Sequence, residues 1–207
     1  MLFSPNHSET QTLRTFFDDL AGEWDAHQPT DRIPLLNHLL DRFSSELKQA
    51  DSILDIGTGT GTLLTLLTPL CPQAKIIAID LSPIMLSHAR QKAPASGVCA
   101  ADIHFSPFAE NTFSVIICHN SLPHLYPLDS TLREIHRLLQ PEGLFIIMHD
   151  LSRVRVNAIH QSSSLELIRQ HQIPSSENLS LKLFKAGLIN QEIEDTDSHF
   201  LVSAKHA

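Results

Sequence analysis

The stretch SILDIGTGTGTLL, at residues 52–64, begins with a short apolar run that contains Asp55, and three glycines follow this run. Gly57, Gly59 and Gly61 occupy alternate positions directly after Asp55 and Ile56. Because glycine has no side chain, a ligand can approach the backbone closely, and the N–H groups at a helix start can bind it. We therefore expect this turn to hold a small molecule.

The glycine spacing differs from two common phosphate-binding motifs. A P-loop carries lysine and then serine or threonine after its last glycine, whereas Thr62 and Leu63 follow Gly61 here. A dinucleotide fingerprint has the spacing G-x-G-x-x-G, whereas the third glycine comes one residue early in this chain. On this stretch alone, an ordinary glycine-rich turn without a ligand stays open.

Three aspartates end three successive apolar strands of the sequence. Asp55 precedes the glycines, Asp80 ends AKIIAID and Asp102 ends GVCAAD. An acidic residue at the position of Asp80 can accept hydrogen bonds from both hydroxyls of a ribose. Asp102 could accept one from the exocyclic amine of an adenine. Helix capping explains each aspartate alone, but the three together with the glycine turn favour an adenosine-containing ligand.

The elements that must position these residues alternate along the chain. Residues 8–48 have apolar positions at helical spacing, and short apolar strands alternate with helices from residue 52 onwards. This pattern predicts an α/β fold with a doubly wound, mostly parallel, seven-stranded sheet and helices on both faces. We expect an antiparallel strand at the C-terminal edge, an N-terminal helical cap or lid over residues 1–48, and a Rossmann-like core over residues 49–207.

These motifs together resemble those of the class I S-adenosylmethionine-dependent methyltransferases. The resemblance covers about residues 50–150 and is carried by ILDIGTGTG, IIAIDLSPIMLSHAR, AADIHFSPFAENTFSVIICHNSLPHL and LLQPEGLFIIMHD. The second and fourth of these most resemble the small-molecule branch that includes the quinone-ring methyltransferases. The resemblance implies in-line transfer of a methyl group from S-adenosylmethionine to a small-molecule acceptor, with S-adenosylhomocysteine as the product.

The resemblance also implies a cofactor-binding role for ten residues: Asp55, Gly57, Thr58, Gly59, Asp80, Leu81, Asp102, Ile103, His119 and Asn120. Asp55 would order the turn near the methionine amino group, and Asp80 would bind the ribose. Leu81 and Asp102, with Ile103, would hold the adenine. His119 or its neighbour Asn120 would lie beside the methionine part.

We expect six polar residues after the fourth and fifth strands to line the acceptor side: His119, His124, His149, Arg153, Asn157 and His160. The last three recur at helical spacing and so share one face of a helix. His149, His124 or His160 would act as a general base, while Arg153 holds an anionic acceptor. Alternatively, two or three histidines bind a metal; their spacing does not favour this, so we assign no metal ligand. The other histidines, His171 included, are interpreted as exposed or bonded locally.

The N-terminal segment FFDDLAGEWDAH resembles the helix that covers the cofactor in small-molecule members of this family. Phe16, Phe17 and Trp24 are the candidates to exclude solvent, with Trp24 and His27 facing the acceptor. Packing across an edge of the sheet is the alternative for this segment. We expect a lid, although most of its apolar stripe would still belong to the core.

The composition favours a small-molecule partner. The chain has 207 residues, a formal net charge of −8 and no basic block, which disfavours nucleic acid as a partner. Its longest apolar stretch is too short to span a bilayer, and its first residues carry no secretory signal. Its 3 cysteines are widely spaced, as in a cytoplasmic protein with free thiols. A homodimer stays open.

Two other functions stay open as well. One is a nucleotide-cofactor oxidoreductase of the NAD type on the same fold, which the early third glycine disfavours. The other is a non-catalytic regulator that keeps the cofactor pocket. The complete first motif, together with Asp80 and Asp102, disfavours the regulator.

Overall fold

The computed structural model describes residues 7–29 and 31–207. Residues 1–6, which belong to the predicted cap and to the segment inspected for a secretory signal, lie outside the described residues, as does residue 30. Within the described ranges, none of the helices has the length and apolar character needed to cross a membrane.

Helices precede the first strand, as the apolar spacing predicted for residues 8–48. They are α1 (His7–Leu20), a single 3₁₀ turn (Trp24–His27), α2 (Arg32–Asp41) and α3 (Ser44–Gln49). Leu36, Leu39 and Leu47 are fully buried and belong to the same apolar cluster as Ile53 of the first strand. Helices α2 and α3 therefore pack into the core, and α1 is the part of this region that stands apart from it.

A seven-stranded sheet forms the centre of the molecule, in the order β3-β2-β1-β4-β5-β7-β6. Its strands are β1 (Ser52–Ile56), β2 (Lys75–Asp80), β3 (Gly97–Ala100), β4 (Phe113–His119), β5 (Leu139–His149), β6 (Leu188–Asp195) and β7 (Phe200–His206). Strand β7 is antiparallel to both β5 and β6, and the other pairs are parallel. The predicted fold is confirmed, with one refinement: the antiparallel strand lies one position inside the edge.

The remaining helices cover the two faces of this sheet. They are α4 (Thr62–Leu70), α5 (Pro83–Lys92), α6 (Leu128–Leu138), α7 (Arg153–Gln161), α8 (Glu166–Gln170) and α9 (Ser176–Lys185). Alternate residues of each strand point to opposite faces. Accordingly, Leu54 packs in a cluster with α6 and α9, whereas Ile53 packs in a second cluster with α2, α3, α4 and α5.

The strand order reverses between β1 and β4. Strand β1 leads through α4 to β2 on one side, whereas β4 leads through α6 to β5 on the other. In open α/β sheets, ligands bind at the carboxyl ends of the strands beside such a reversal. The turn that carries the glycines and the loop that follows His119 meet at this point.

Proline, serine and glycine residues lie at the ends of α4, α5 and α9. Helix α5 begins after Ser82, because the Met85 N–H donates to Ser82 Oγ at 3.0 Å and Pro83 follows the cap. Gly187, with φ at +86°, follows the end of α9. Helix α4 ends at Leu70, with Pro69 in its last turn and Pro72 two residues beyond its end.

Candidate functional site

A cleft lies over the carboxyl ends of β1, β2 and β4 and beneath α1. The empty space in the cleft and at its solvent-open mouth amounts to about 1110 Å³. Nine of the ten predicted cofactor residues line it: Gly57, Thr58, Gly59, Asp80, Leu81, Asp102, Ile103, His119 and Asn120. The tenth, Asp55, is buried directly before the glycine turn at the end of β1. The topology therefore brings the whole predicted set to one place.

The three glycines are needed for different reasons. Gly57, Gly59 and Gly61 have φ values of +66°, +55° and +82°, which non-glycine residues rarely adopt. A Cβ atom on Gly57 would lie 2.2 Å from Ser121 Oγ, and one on Gly61 would lie 2.7 Å from the Ala89 Cα. A Cβ on Gly59 would meet its nearest neighbour at 3.8 Å. Packing within the chain thus explains Gly57 and Gly61, whereas the space beside Gly59 is open and belongs to the cleft.

Asp55 combines deep burial with an unsatisfied oxygen. Its Oδ2 accepts a hydrogen bond from Thr58 Oγ1 at 2.6 Å, whereas its Oδ1 is buried without a partner among the described residues. Burial raises the pKa of Asp55 to about 6, although the Thr58 hydroxyl and the nearby His119 act in the opposite direction. A donor placed beside Oδ1 would satisfy an atom that is otherwise costly to bury.

Asp80 joins the glycine turn to the second strand. Its Oδ2 accepts from the Gly59 N–H at 2.8 Å and its Oδ1 from the Ser82 N–H at 2.8 Å. Burial raises the pKa of Asp80 in spite of these bonds. Each carboxylate oxygen can accept a further hydrogen bond, and the side chain lines the cleft.

Asp102 caps the 3₁₀ turn that follows β3. Its Oδ1 accepts from the His104 N–H at 3.0 Å and lies 2.8 Å from His104 Nδ1. Its Oδ2 contacts Thr10 Oγ1 of α1 at 3.5 Å. Asp102 Oδ1 therefore stabilises the 3₁₀ turn, while Asp102 Oδ2 lies where α1 meets the cleft.

Sequence reasoning missed Arg32. The side chain is 11% exposed, lines the cleft, and donates through Nη2 to Thr62 Oγ1 at 2.9 Å and to Asp25 Oδ1 at 3.2 Å. It is also close enough to the Asp150 carboxylate to lower the pKa of that group. No local motif marks this position, because only the tertiary fold brings the start of α2 above the start of α4.

Aromatic rings form the wall of the cleft beyond the glycine turn. His124 lies 5.0 Å from the Phe17 ring and 5.7 Å from the His171 ring, and Tyr126 stacks on His171 at 5.9 Å between ring centroids. All four residues line the cleft. Burial and the neighbouring histidines lower the pKa of His124 well below its ordinary value, and burial lowers that of His171 to about 4. These imidazoles are therefore uncharged at neutral pH.

The expectation for His171 was wrong. It is buried, and its Nδ1 has no hydrogen-bond partner within the described part of the chain. The segment between α8 and α9 folds back against the loop after β4, which places the ring against His124. A single histidine in a polar stretch carries no sequence signal for such a long-range contact.

The structure brings together only part of the predicted acceptor pocket. His119 and His124 line the cleft, and His160 packs behind His124 with a ring separation of 4.8 Å. The His160 Nδ1 is hydrogen-bonded to the His171 carbonyl oxygen. His149 is buried against Phe200 and does not line the cleft.

Arg153 and Asn157 have structural partners away from the cleft. The Arg153 Nε donates to Asp195 Oδ2 at 2.6 Å. The Asn157 side chain donates to the Ile173 carbonyl at 3.0 Å and accepts from the Ile173 N–H at 2.8 Å. An acceptor-binding role for Arg153 stays a prediction, and its ion pair with Asp195 does not support that role.

Helix α1 covers the cleft from above. Phe17 and Trp24 line it, with their rings 6.1 Å apart, while Phe16 packs edge-on against Phe17 at 5.3 Å. In α1, whose residues are all described, Leu13 is the one buried residue. The ring contact of Phe17 with His124 and polar contacts also hold this helix, including a hydrogen bond of 2.5 Å from Ser82 Oγ to Asp18 Oδ1. His27 is exposed, with Nδ1 2.9 Å from the Glu23 carbonyl oxygen, outside the cleft lining.

The predicted metal alternative finds no geometric support. Across residues 7–29 and 31–207, no group of three or more histidine, cysteine, aspartate or glutamate side chains is arranged to hold a metal ion.

His149 should make the protein sensitive to acid. Burial lowers its pKa from 6.5 to about 3, so the folded state keeps it uncharged while the unfolded chain binds a proton below pH 6.5. Its contribution to stability is therefore complete above pH 6.5 and is lost as the pH falls towards 3. Between pH 6.5 and 4, His149→Leu should reduce the slope of the unfolding free energy by up to about 1.4 kcal/mol per pH unit.

Urea titrations across this range measure that slope. His38→Gln, which changes an exposed imidazole, is the matched control and should leave the slope as in the wild type. Equal slopes for His149→Leu and the wild type would contradict the prediction.

Comparison with known proteins adds to the geometry. Residues 54–147 match the family model described as "Methyltransferase domain". The chain is 30% identical over 155 residues to the demethylmenaquinone methyltransferase of Chlorobaculum parvum, covering 68% of this chain and 60% of that protein. It is 25% identical over 197 residues to the malonyl-[acyl-carrier protein] O-methyltransferase of Halorhodospira halophila, covering 90% of this chain and 64% of that protein. The chain thus spans less than two thirds of the length of these relatives.

A solved structure agrees with the fold over the full length. The S-adenosylmethionine-dependent methyltransferase of Aquifex aeolicus superposes with a TM-score of 0.65 at 19% identity, covering 99% of this chain and 100% of that chain. At this identity the likeness concerns the fold alone.

Proposed function

We propose that this chain, which belongs to the class I S-adenosylmethionine-dependent methyltransferases, binds S-adenosylmethionine in the cleft and transfers its methyl group to a small-molecule acceptor. The supporting observation is the row of carboxylates at the ends of β1, β2 and β3, of which Asp55 keeps one buried oxygen that no described residue bonds. When bound, S-adenosylmethionine supplies a methyl group on a positively charged sulfur, which an acceptor atom can attack directly.

Charges on both sides of the glycine turn match an amino acid. The unpartnered Oδ1 of Asp55 would accept a hydrogen bond from the amino group of the methionine part. Arg32, which enters the cleft from α2, would donate to its carboxylate. A buried acceptor beside the glycine turn and a partly buried cation in the cleft fit a zwitterion better than they fit the phosphates of a dinucleotide.

The other end of the cleft matches a nucleoside. Asp80 would accept hydrogen bonds from the ribose hydroxyls, since both of its oxygens retain lone pairs at the cleft surface. Leu81 and Ile103 supply apolar surface on which a purine can pack, and Asp102 Oδ2 would accept from its exocyclic amine. These residues bind and orient the donor and take no part in bond formation.

Removing the Asp80 carboxylate should weaken the recognition of the ribose. Asp80→Ala is expected to lower the affinity for S-adenosylhomocysteine by ~1–3 kcal/mol, because buried hydroxyls lose their acceptors. Calorimetry with S-adenosylhomocysteine and with its 2′-deoxy analogue separates this effect from loosening of the turn. The variant should no longer distinguish the two ligands.

Asp129→Ala is the control for this substitution, since it removes a surface carboxylate that pairs with Lys182 at 2.7 Å. It should bind both ligands as the wild type does. If Asp80→Ala still prefers the ribose form by the wild-type margin, the adenosine lies elsewhere.

The remaining cleft residues exclude water and present the acceptor. Phe17 and Trp24 close the cleft from above, which shields the reacting atoms from solvent. The uncharged rings of His124 and His171, with Tyr126, form a wall that suits a flat, uncharged acceptor. Holding such an acceptor in line with the methyl group would supply most of the rate enhancement.

Binding calorimetry with S-adenosylhomocysteine and with NAD tests the proposal. We expect binding of the first and none of the second; the reverse result would favour an oxidoreductase. Incubation of the protein with methyl-labelled S-adenosylmethionine and metabolite extracts then tests turnover. A protein that binds the cofactor but labels no extract fraction would be the regulator. The small-molecule acceptor, the cytoplasmic location and a homodimer stay predictions.

A further inference from the structure

We propose that His119 is the base that removes a proton from a hydroxyl group of the acceptor, and that Asp150 and Asn120 are the positioning residues that hold its imidazole ready. The proposal rests on the proposed function and makes it more specific. It assigns His119 a role beyond contact with the methionine part, and it replaces His149 and Arg153 as the centre of the acceptor chemistry.

The ends of β4 and β5 lock the Asp150 carboxylate in place. The Asn120 Nδ2 donates to Asp150 Oδ1 at 2.8 Å, and the Asp150 N–H donates to Asn120 Oδ1 at 3.2 Å. The Asn120 N–H in turn donates to the Met148 carbonyl oxygen at 2.9 Å. These reciprocal hydrogen bonds fix Asp150 Oδ1, and neither of them involves Asp150 Oδ2.

The free oxygen of Asp150 faces His119. Its Oδ2 lies 3.6 Å from His119 Nε2, and both atoms are buried with no hydrogen-bond partner among the described residues. Each is therefore the available partner of the other, and catalytic hydrogen bonds are often long before a substrate binds. Burial alone would raise the pKa of Asp150, but His119, Asn120 and Arg32 hold it below its ordinary value, so the carboxylate stays charged.

The second nitrogen of His119 points into the cleft. Its side chain lines the cleft, and Nδ1 has no hydrogen-bond partner in the described ranges and, unlike Nε2, is accessible to solvent. A carboxylate beside Nε2 favours the tautomer that carries its proton there. The lone pair of Nδ1 is then free towards the cleft, which is the arrangement a base needs.

His119 is also held beside the glycine turn. Ile56 of β1 pairs with Cys118 of β4, so the residues that follow, Gly57 and His119, are neighbours. Ser121 Oγ donates to the Gly57 carbonyl at 2.9 Å and lies 3.1 Å from the His119 carbonyl oxygen, which ties the two loops together. The imidazole therefore lies next to the segment where the methyl donor is proposed to bind.

A base at this position indicates an acceptor that carries a weakly acidic proton. A carboxylate acceptor has no proton to lose, whereas a phenolic hydroxyl does, and the ring wall of His124, His171 and Tyr126 suits a phenol. The hydroxyl proton passes to His119 Nδ1, and the electron pair of the O–H bond stays on oxygen. That oxygen forms the new bond to the methyl carbon, the pair of the broken S–C bond remains on sulfur, and His119 releases its proton to water.

Nitrogen NMR of histidine-labelled protein tests the arrangement without any acceptor. His119, assigned from the signals lost in His119→Gln, should be found with its proton on Nε2 at neutral pH, both alone and with S-adenosylhomocysteine. Asp150→Asn should shift the tautomer towards Nδ1–H, whereas the surface change Asp129→Asn should not. A wild-type His119 that carries its proton on Nδ1 would overturn the proposal.

Three other titratable or charged side chains lie near His119 and Asp150 and also influence the protonation of this pair. Asp55 from β1, His149 from β5 and Arg32 from α2 all act on His119 or Asp150. Repeating the NMR measurement in His149→Leu removes one of them. The Asp150-dependent tautomer should persist there; its loss would make His149 the cause and overturn the role of Asp150.

A series of naphthols of increasing acidity tests the proton transfer. With methyl-labelled S-adenosylmethionine, His119→Gln should lower kcat on 1-naphthol by about 10²–10³-fold. The loss should shrink on nitro-substituted 1-naphthols, because these are already ionised and need no base. An equal loss on all naphthols, or wild-type protein that methylates none of them, would overturn the proposal.

Calorimetry distinguishes this failure from failure of the proposed function. Asp150→Asn, which changes a side chain outside the cleft lining, should bind S-adenosylhomocysteine within about threefold of the wild type. Wild-type protein that does not bind it would refute the proposed function itself. Normal binding combined with the wrong tautomer would refute only the role of His119.

Discussion

Replacing Gly61 by alanine should destabilise the protein by about 2–5 kcal/mol. Its φ of +82° costs a residue with a side chain roughly 1–2 kcal/mol. The new Cβ would also lie 2.7 Å from the Ala89 Cα and 2.8 Å from its Cβ, which forces α4 and α5 apart at a further cost of about 1–3 kcal/mol. The midpoint and slope of urea unfolding measure the loss.

Gly22→Ala is the matched control for this change. A Cβ on Gly22 meets nothing within 4 Å among the described residues, and its φ is not in the left-handed region. The variant should unfold within about 0.5 kcal/mol of the wild type. A Gly61→Ala variant as stable as Gly22→Ala would contradict the close contact described between Gly61, at the start of α4, and Ala89 of α5.

Arg32→Gln should lower the affinity for S-adenosylhomocysteine by about 10–100-fold. A hydrogen bond between a guanidinium and a carboxylate contributes about 1.5–3 kcal/mol when partly shielded from water, and Arg32 is only 11% exposed. Affinity for 5′-methylthioadenosine, which has the nucleoside but neither the amino group nor the carboxylate, should stay unchanged. Calorimetry with both ligands measures the difference.

Arg42→Gln provides the control for Arg32. Arg42 pairs with Glu192 at 2.7 Å and with Glu194 at 2.5 Å, outside the cleft lining. It should bind both ligands normally. An equal loss of affinity for the two ligands in Arg32→Gln would mean that Arg32 supports the shape of the cleft and does not contact the amino acid part.

The fold could be predicted because its signals are local. Apolar runs of strand length that alternate with amphipathic helices specify a parallel sheet, and the aspartates mark where the strands end. Since the carboxyl ends of neighbouring parallel strands share one edge, Asp55, Asp80 and Asp102 had to converge. The position of β7 inside the edge is not local, because it depends on which partner strand the last segment reaches.

The acceptor side was only partly predictable for the same reason. Helical spacing correctly placed Arg153, Asn157 and His160 on one helix, but spacing does not say what that helix faces. Arg153 forms an ion pair with Asp195 on β6, and Asn157 donates a hydrogen bond to the backbone carbonyl of Ile173. Arg32 and His171 reach the cleft through contacts that no periodicity encodes, so sequence reasoning overlooked both.

The sparse attachment of α1 governs how a bound molecule would leave. One buried leucine, the ring contact of Phe17 with His124 and a few polar contacts anchor this helix, whereas the sheet beneath it is closely packed. Segments held in this way open by local fluctuations that leave the rest of the domain intact. Exchange of S-adenosylhomocysteine for S-adenosylmethionine would then need only a brief opening of α1. The time that α1 stays closed over the cleft would limit turnover.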